Sequence, residues 1–109
     1  MTTASTIHPD LIIRNGTKGQ IIEGDVGIDI RLAEELWFEY VPITYTSDSQ
    51  AVRLIATVNP TINTRMQYTT NGTEFSVGYY YMIAVVKVSD TQIYYSDNKR
   101  TLQVKTKFE

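Results

Sequence analysis

The carboxylates Glu23, Asp25 and Asp29 fall at alternate and fourth positions with Gly24 and Gly27 between them. Clustered oxygens of this kind are what a calcium ion would take. The loop pattern of an EF-hand is missing, however, and on an extended strand Asp25 and Asp29 would only face water. Glu34 and Glu35 are the other acidic pair. Adjacent residues point to opposite faces of a strand, or sit about 100° apart on a helix, so they do not straddle one bond as a glycosidase pair must. His8, the single histidine, stands beside Pro9 in a polar stretch, and the chain has no cysteine. Thiol catalysis, zinc–thiolate sites and disulfides are thereby excluded, and a histidine-based triad has no partner to complete it. Asn15-Gly16-Thr17 and Asn71-Gly72-Thr73 match the glycan-acceptor pattern, but read more simply as Asn-Gly turns followed by Thr. No catalytic residue, cofactor or metal is expected.

The aromatic residues carry more information. The chain has eight tyrosines, one tryptophan and three phenylalanines, 11% of the sequence. Tyr79, Tyr80 and Tyr81 are consecutive, and so are Tyr94 and Tyr95. On strands such runs cannot all point inward. Outward rings offer a partner large contact area with a polar handle. Tyr80, Tyr94 and Tyr95 are therefore the expected partner-binding residues, with Lys105 and Lys107 on the wet face of the last strand. Lys99 and Arg100 add positive charge beside the rings, a mixture that single-stranded nucleic acid can use. The patch is small and the formal net charge is −2, so a nucleic-acid partner is not expected.

Charge is divided unevenly. Residues 1–50 hold three basic against eight acidic groups, and residues 51–109 hold seven against four. Such opposition permits intrachain matching or head-to-tail contact between copies. The length of 109 residues and the 42% apolar fraction suit one domain with a modest core. No apolar run approaches the ~20 residues that span a bilayer. The polar start Met1-Thr2-Thr3-Ala4-Ser5-Thr6 lacks the features of a signal peptide. A membrane partner is not expected, and synthesis in a cytoplasm is.

The elements that must position these residues read as strands. Residues 1–10 form an expected flexible arm, and 11–109 a single β-domain. Leu11-Ile12-Ile13-Arg14, the turn Asn15-Gly16 and Gly19-Gln20-Ile21-Ile22 predict a short hairpin. Val26, Ile28, Ile30 and Leu32 alternate with polar residues and predict a strand over 25–32. Over 32–40 the spacing of Leu32, Leu36 and Tyr40 permits a short helix. The β-like stretch that follows contains Pro42, which suits an edge or a break. Val52, Leu54, Ala56 and Val58 predict one strand, and 62–70 another. Asn71-Gly72 predicts a two-residue type I′ hairpin that pairs Tyr68 with Phe75. Residues 77–88 predict a strand covered on both faces. Leu102, Val104, Thr106 and Phe108 alternate with Gln103, Lys105 and Lys107 to give a last strand. The expected fold is an all-β antiparallel sandwich of about seven strands.

The stretch from Gly78 to Val88, then Ile93-Tyr94-Tyr95-Ser96, then Leu102-Gln103-Val104-Lys105-Thr106, resembles the end of a fibronectin type III domain or a related immunoglobulin-like sandwich. The resemblance implies that Tyr79 or Tyr81 takes the place of the family's tyrosine at the start of the sixth strand. It implies that Trp37 stands in for the core tryptophan. It further implies a structural or adhesive module without catalytic residues. A short, cysteine-free, Thr-, Asn- and Tyr-rich β-domain also looks like small virion proteins of tailed phages, such as capsid decoration, neck or tail components. The expected function is therefore a non-enzymatic module that contacts neighbouring subunits, of itself or of a scaffold, through exposed aromatics and the arm. The alternative is a module that binds carbohydrate or another ligand through the same rings.

Overall fold

The computed structural model describes residues 9–47, 50–96 and 99–108. The described residues form nine strands and no helix. They are β1 Leu11–Arg14, β2 Lys18–Asp25, β3 Glu35–Pro42, β4 Val52–Ile55, β5 Thr57–Val58, β6 Arg65–Asn71, β7 Gly78–Ser89, β8 Gln92–Tyr95 and β9 Arg100–Lys105. One sheet runs β1-β9-β7-β3-β4, with β8 also paired to β7; the other runs β2-β6-β5. The two sheets pack as a sandwich. Ile13, Ile22, Leu36, Phe38, Met66, Met82, Val86, Leu102 and Val104 lie among the buried residues of its core. Neighbouring strands are antiparallel except β1, which runs parallel to β9. The orders β9-β7-β3-β4 and β2-β6-β5 are compatible with the G-F-C-C′ and B-E-D sheets of an immunoglobulin-like sandwich.

The longest strand is β7, and it organises the larger sheet. β3 pairs along one of its edges, while β9 and β8 share the other, β9 beside Gly78–Met82 and β8 beside Val85–Ser89. Between them the ladder is held by Ser96, whose N–H donates to Ala84 O at 2.9 Å and whose Oγ accepts from Ala84 N at 3.0 Å. β8 and β9 thus lie in file along one edge of β7, and the expected last strand over 102–108 is β9, Arg100–Lys105.

Several local expectations are corrected. Residues 35–42 are strand, not helix. Leu32, needed for the helical stripe, is 95% exposed, while Leu36, Phe38 and Tyr40 enter the core at the strand period of two. Pro42 sits at the end of β3, beyond the last residue that β4 reaches, so its missing N–H disturbs no ladder there. Residues 26–32 are not strand. Gly27 has φ +75°, and the side chains of Asp25 and Asp29 accept from the N–H groups of Gly27 and Arg31 two residues on. Those side-chain turns offer the backbone an alternative to a ladder.

The expected hairpin of β1 with β2 is absent as well, because the two strands belong to different sheets. The stretch 52–58 divides at Ala56, whose N–H donates to Leu36 O at 2.9 Å as the chain passes from one sheet to the other.

The Asn71-Gly72 hairpin does not form either. A type I′ turn needs positive φ at both centres, and Gly72 has it (φ +96°) while Asn71 does not. Glu74 takes over the turn instead. Its carboxylate accepts from Asn71 N–H at 2.5 Å, Gly72 N–H at 3.0 Å and the Tyr68 hydroxyl at 2.6 Å. Two further phenols pin the same loop. Tyr40 donates to Glu74 O at 2.5 Å, and Tyr80 donates to Ser76 O at 2.8 Å. The rings of Tyr40, Phe75 and Tyr80 pack with centroids 4.7 to 5.7 Å apart.

Candidate interaction surface

Register decides which side chains share the outer face of the six-stranded sheet. Trp37 pairs with Ile55 on one side and Val85 on the other, and Val85 pairs with Tyr95. Side chains paired this way lie side by side on one face. The result is a row, Ile55–Trp37–Val85–Tyr95, that crosses four strands and spans about 14 Å. Its centre is sealed: Trp37 is 3% exposed and Val85 0%, although both lie outside the inter-sheet core cluster. Its two ends are open, with Ile55 66% and Tyr95 58% exposed. Ile93, in register with Lys87 one row on, adds another exposed aliphatic group.

Charges on this face are committed locally. The Arg53 guanidinium lies 4.2 Å from the Trp37 ring centroid, and its Nε is 3.7 Å from Glu39. The Trp37 indole N–H donates to Glu39 Oε1 at 2.8 Å. Lys87 pairs with Asp90 at 3.3 Å and Glu34 at 3.7 Å; the hydrogen bond to Asp90, then the charge of Glu34, push its pKa upward. Lys99 lies 4.0 Å over the Tyr81 ring, whose other neighbour is Tyr45, edge-on at 6.2 Å. The outer face therefore carries two exposed apolar ends, Ile55 and Tyr95, on either side of a buried Trp37–Val85 centre, with paired charges around them.

The residues expected from the sequence separate here. Tyr95 stands on the outer face and Tyr94, its neighbour on β8, on the opposite side, where it lines a hollow with Val26, Ile28 and Val86. Tyr80 faces the sandwich interior and is half-buried against the core, away from the outer face on which Tyr95 stands. Its hydroxyl bond to a carbonyl four residues upstream is similar in form to the tyrosine corner of immunoglobulin-like sandwiches. Of the three consecutive tyrosines it is Tyr80 that makes this contact. Trp37 departs from the family pattern, because it lies outside the core it was expected to join. Lys105 is half-buried beside β1, and Lys107 is exposed past the end of β9. Antiparallel register places Lys105 eight residue rows along β7 from Tyr95, about 26 Å at strand spacing, so the lysines and that ring do not form one site.

Ile55 and Trp37, the outer-face residues of this row on β4 and β3, each carry a signal in the sequence. Ile55 is the apolar residue on the otherwise polar phase of 52–58, and Trp37 is out of phase with Leu36, Phe38 and Tyr40. In the acidic run at 23–29, Asp25 accepts from Gly27 N–H and the Thr64 hydroxyl. Asp29 is held down at about pKa 2 by the side-chain hydrogen bond from Arg31. Among the described residues no group of three or more metal-ligating side chains comes together. Residues 1–8 of the expected arm lie outside the described residues, as do Asp48, Ser49, Asp97, Asn98 and Glu109. Asp10 is tied to β9, its N–H donating to Thr101 O and its carboxylate accepting from Thr101 N–H.

Fold and surface together define an all-β sandwich domain with an apolar strip on the outside of its larger sheet. No family model, curated protein or solved structure matches the chain.

Proposed function

We propose that this chain is a non-enzymatic interaction module of a larger assembly, and that the strip around Ile55, Trp37, Val85, Ile93 and Tyr95 is where a neighbouring copy docks. The observation that carries the reading is the exposed pair of ends, Ile55 and Tyr95, on either side of a sealed Trp37–Val85 centre. Burying them would remove apolar surface from water at roughly 25 cal/mol per Å². Exposed apolar side chains rimmed by charge, here Ile55 at one end and Ile93 with Tyr95 at the other, suit a contact surface. A virion is the proposed setting, in line with the likeness in composition to small tailed-phage proteins; a gene lying apart from capsid and tail genes would contradict that setting.

The carbohydrate alternative has less support. Tyr81, an outward ring that lines a hollow with Tyr45, already carries Lys99 over its face. Sedimentation over a hundredfold concentration range tests the proposal. Self-association that weakens in the Tyr95→Ser and Ile55→Ser variants, with the β circular-dichroism signal kept, supports it. A monomer at every concentration that binds glycans contradicts it.

A further inference from the structure

β8 pairs with β7 along one edge, and no strand among the described residues takes up its other edge. β9 lies in file with it and is covered by β1, but β1 begins at Leu11, opposite Leu102, and does not reach β8. The ladder fixes which backbone groups of β8 face outward. Ser96 N–H donates to Ala84 O, so Ala84 and Ser96 stand as a hydrogen-bonded pair. Such pairs alternate along an antiparallel ladder. Val86–Tyr94 is the next, and Val85–Tyr95 and Lys87–Ile93 are the pairs between. The N–H and C=O groups of Ile93 and Tyr95 therefore point away from β7, toward the open side. All four side chains of β8 are exposed and none is charged. The other free edges differ: β1 carries Arg14, β2 carries Lys18, Glu23 and Asp25, β4 carries Arg53, and β5 is two residues long. Charge, proline and shortness keep free edges from pairing with other chains, and β8 has neither charge nor proline.

Resting on the reading that a neighbouring copy docks at the strip, we infer that it docks through β8, two copies pairing edge to edge and antiparallel about a two-fold axis at Tyr94. The run Ile93-Tyr94-Tyr95 complements itself in that register. Ile93 faces Tyr95 of the second copy, and Tyr94 faces its own counterpart. Facing Ile93 and Tyr95 exchange both N–H···O bonds through the groups that β7 leaves free. Their side chains meet on the outer face as a β-branched–aromatic pair, and the two Tyr94 rings meet on the other face as an aromatic pair. With no charge on β8, no like charges are brought together. The outer row Ile55–Trp37–Val85–Tyr95 then runs on into Ile93 of the second copy, and the two six-stranded sheets become one. The contact is closed, because each copy presents the same edge.

Amide hydrogen exchange of the full chain tests the inference, read by NMR at a concentration where sedimentation shows monomer and at one where it shows association. The Ile93 and Tyr95 amides should slow at least tenfold on association, and the Tyr94 amide, bonded within the β7 ladder, far less. Ile93→Pro removes one outward donor and no bond to β7, so it should weaken association at least tenfold with the β circular-dichroism signal kept. If that variant does not fold, exchange on the unaltered chain decides. Association that leaves the Ile93 and Tyr95 amides unchanged puts the contact on the face of the sheet and overturns edge pairing alone. Protection of these amides already in the monomer means that the chain covers its own edge, and also overturns it. A monomer at every concentration overturns both the inference and the reading it rests on.

Discussion

Glu74→Gln should cost this fold more than a half-exposed loop residue usually does. The wild-type carboxylate holds three donors at once: the N–H groups of Asn71 and Gly72 and the hydroxyl of Tyr68. An amide has one oxygen to accept with, and its NH₂ would be turned toward another donor. At least one charge-assisted bond is lost, at about 1.5–3 kcal/mol. For a domain of this size that lowers Tm by roughly 6–15 °C at neutral pH.

The pH dependence gives a sharper check. Burial by itself would raise the pKa of Glu74 above its ordinary 4.5, but the hydrogen bonds from Tyr68, Asn71 and Gly72 outweigh it and the net direction is down. A carboxyl depressed in the folded state contributes stability above its unfolded pKa and loses it as pH falls through the folded value. The gap between wild type and Glu74→Gln should therefore be full at pH 7 and close progressively below about pH 4. Urea unfolding followed by circular dichroism at pH 7 and pH 3 measures it. A gap under 0.5 kcal/mol at pH 7, or one that stays constant down to pH 3, would refute the reasoning.

Tyr80→Phe removes only the hydroxyl bond to Ser76 O and should cost about 0.5–1.5 kcal/mol by chemical denaturation, with no change in association. Gly24→Ala should cost about 1–3 kcal/mol by overpacking, because the new Cβ would lie 3.1 Å from Phe38 Cε1 in the core. Phe38→Ala should cost about 3–5 kcal/mol, since that ring is among the most deeply buried side chains. On the alkaline side, burial and then the hydrogen bond to Glu74 push the Tyr68 phenol up to about 12. Its contribution is full below pH 10 and should fade as pH rises toward 12. The ultraviolet band of ionised tyrosine at 295 nm should then show late-titrating phenols, since burial also raises Tyr40, and Tyr68→Phe should remove one of them.

How much of this was legible depended on whether tertiary context competed with the local pattern. β7 was readable because a near-continuous apolar run covered on both faces has few other uses. β9 was readable from its alternation. β3 was ambiguous because Leu32, Leu36 and Tyr40 satisfy a helical spacing as well, and only the exposure of Leu32 separates the two. The false strand at 25–32 and the false hairpin at 71–72 share a cause. Carboxylates, Asp25 and Asp29 in one and Glu74 in the other, capture backbone N–H groups that a ladder would have used.

The site was legible in kind rather than in detail. A tyrosine run had to send some rings outward, but a one-residue shift of register exchanges the two faces. The sequence does not carry that register across strands, so Tyr80 could not be told from Tyr79 or Tyr81. The resemblance to an immunoglobulin-like sandwich implies a core Trp37, whereas pairing with Val85 and Ile55 places it on the other side of the sheet.

Concentration-dependent NMR of the full chain tests the contact strip most directly. The Trp37 indole N–H, bonded to Glu39 on the outer face, is a ready reporter beside the methyls of Ile55, Val85 and Ile93 and the ring of Tyr95. These signals should move together as protein concentration rises, while those of the β2-β6-β5 sheet stay still. Signals constant across the range, or shifts confined to the smaller sheet, would contradict the account.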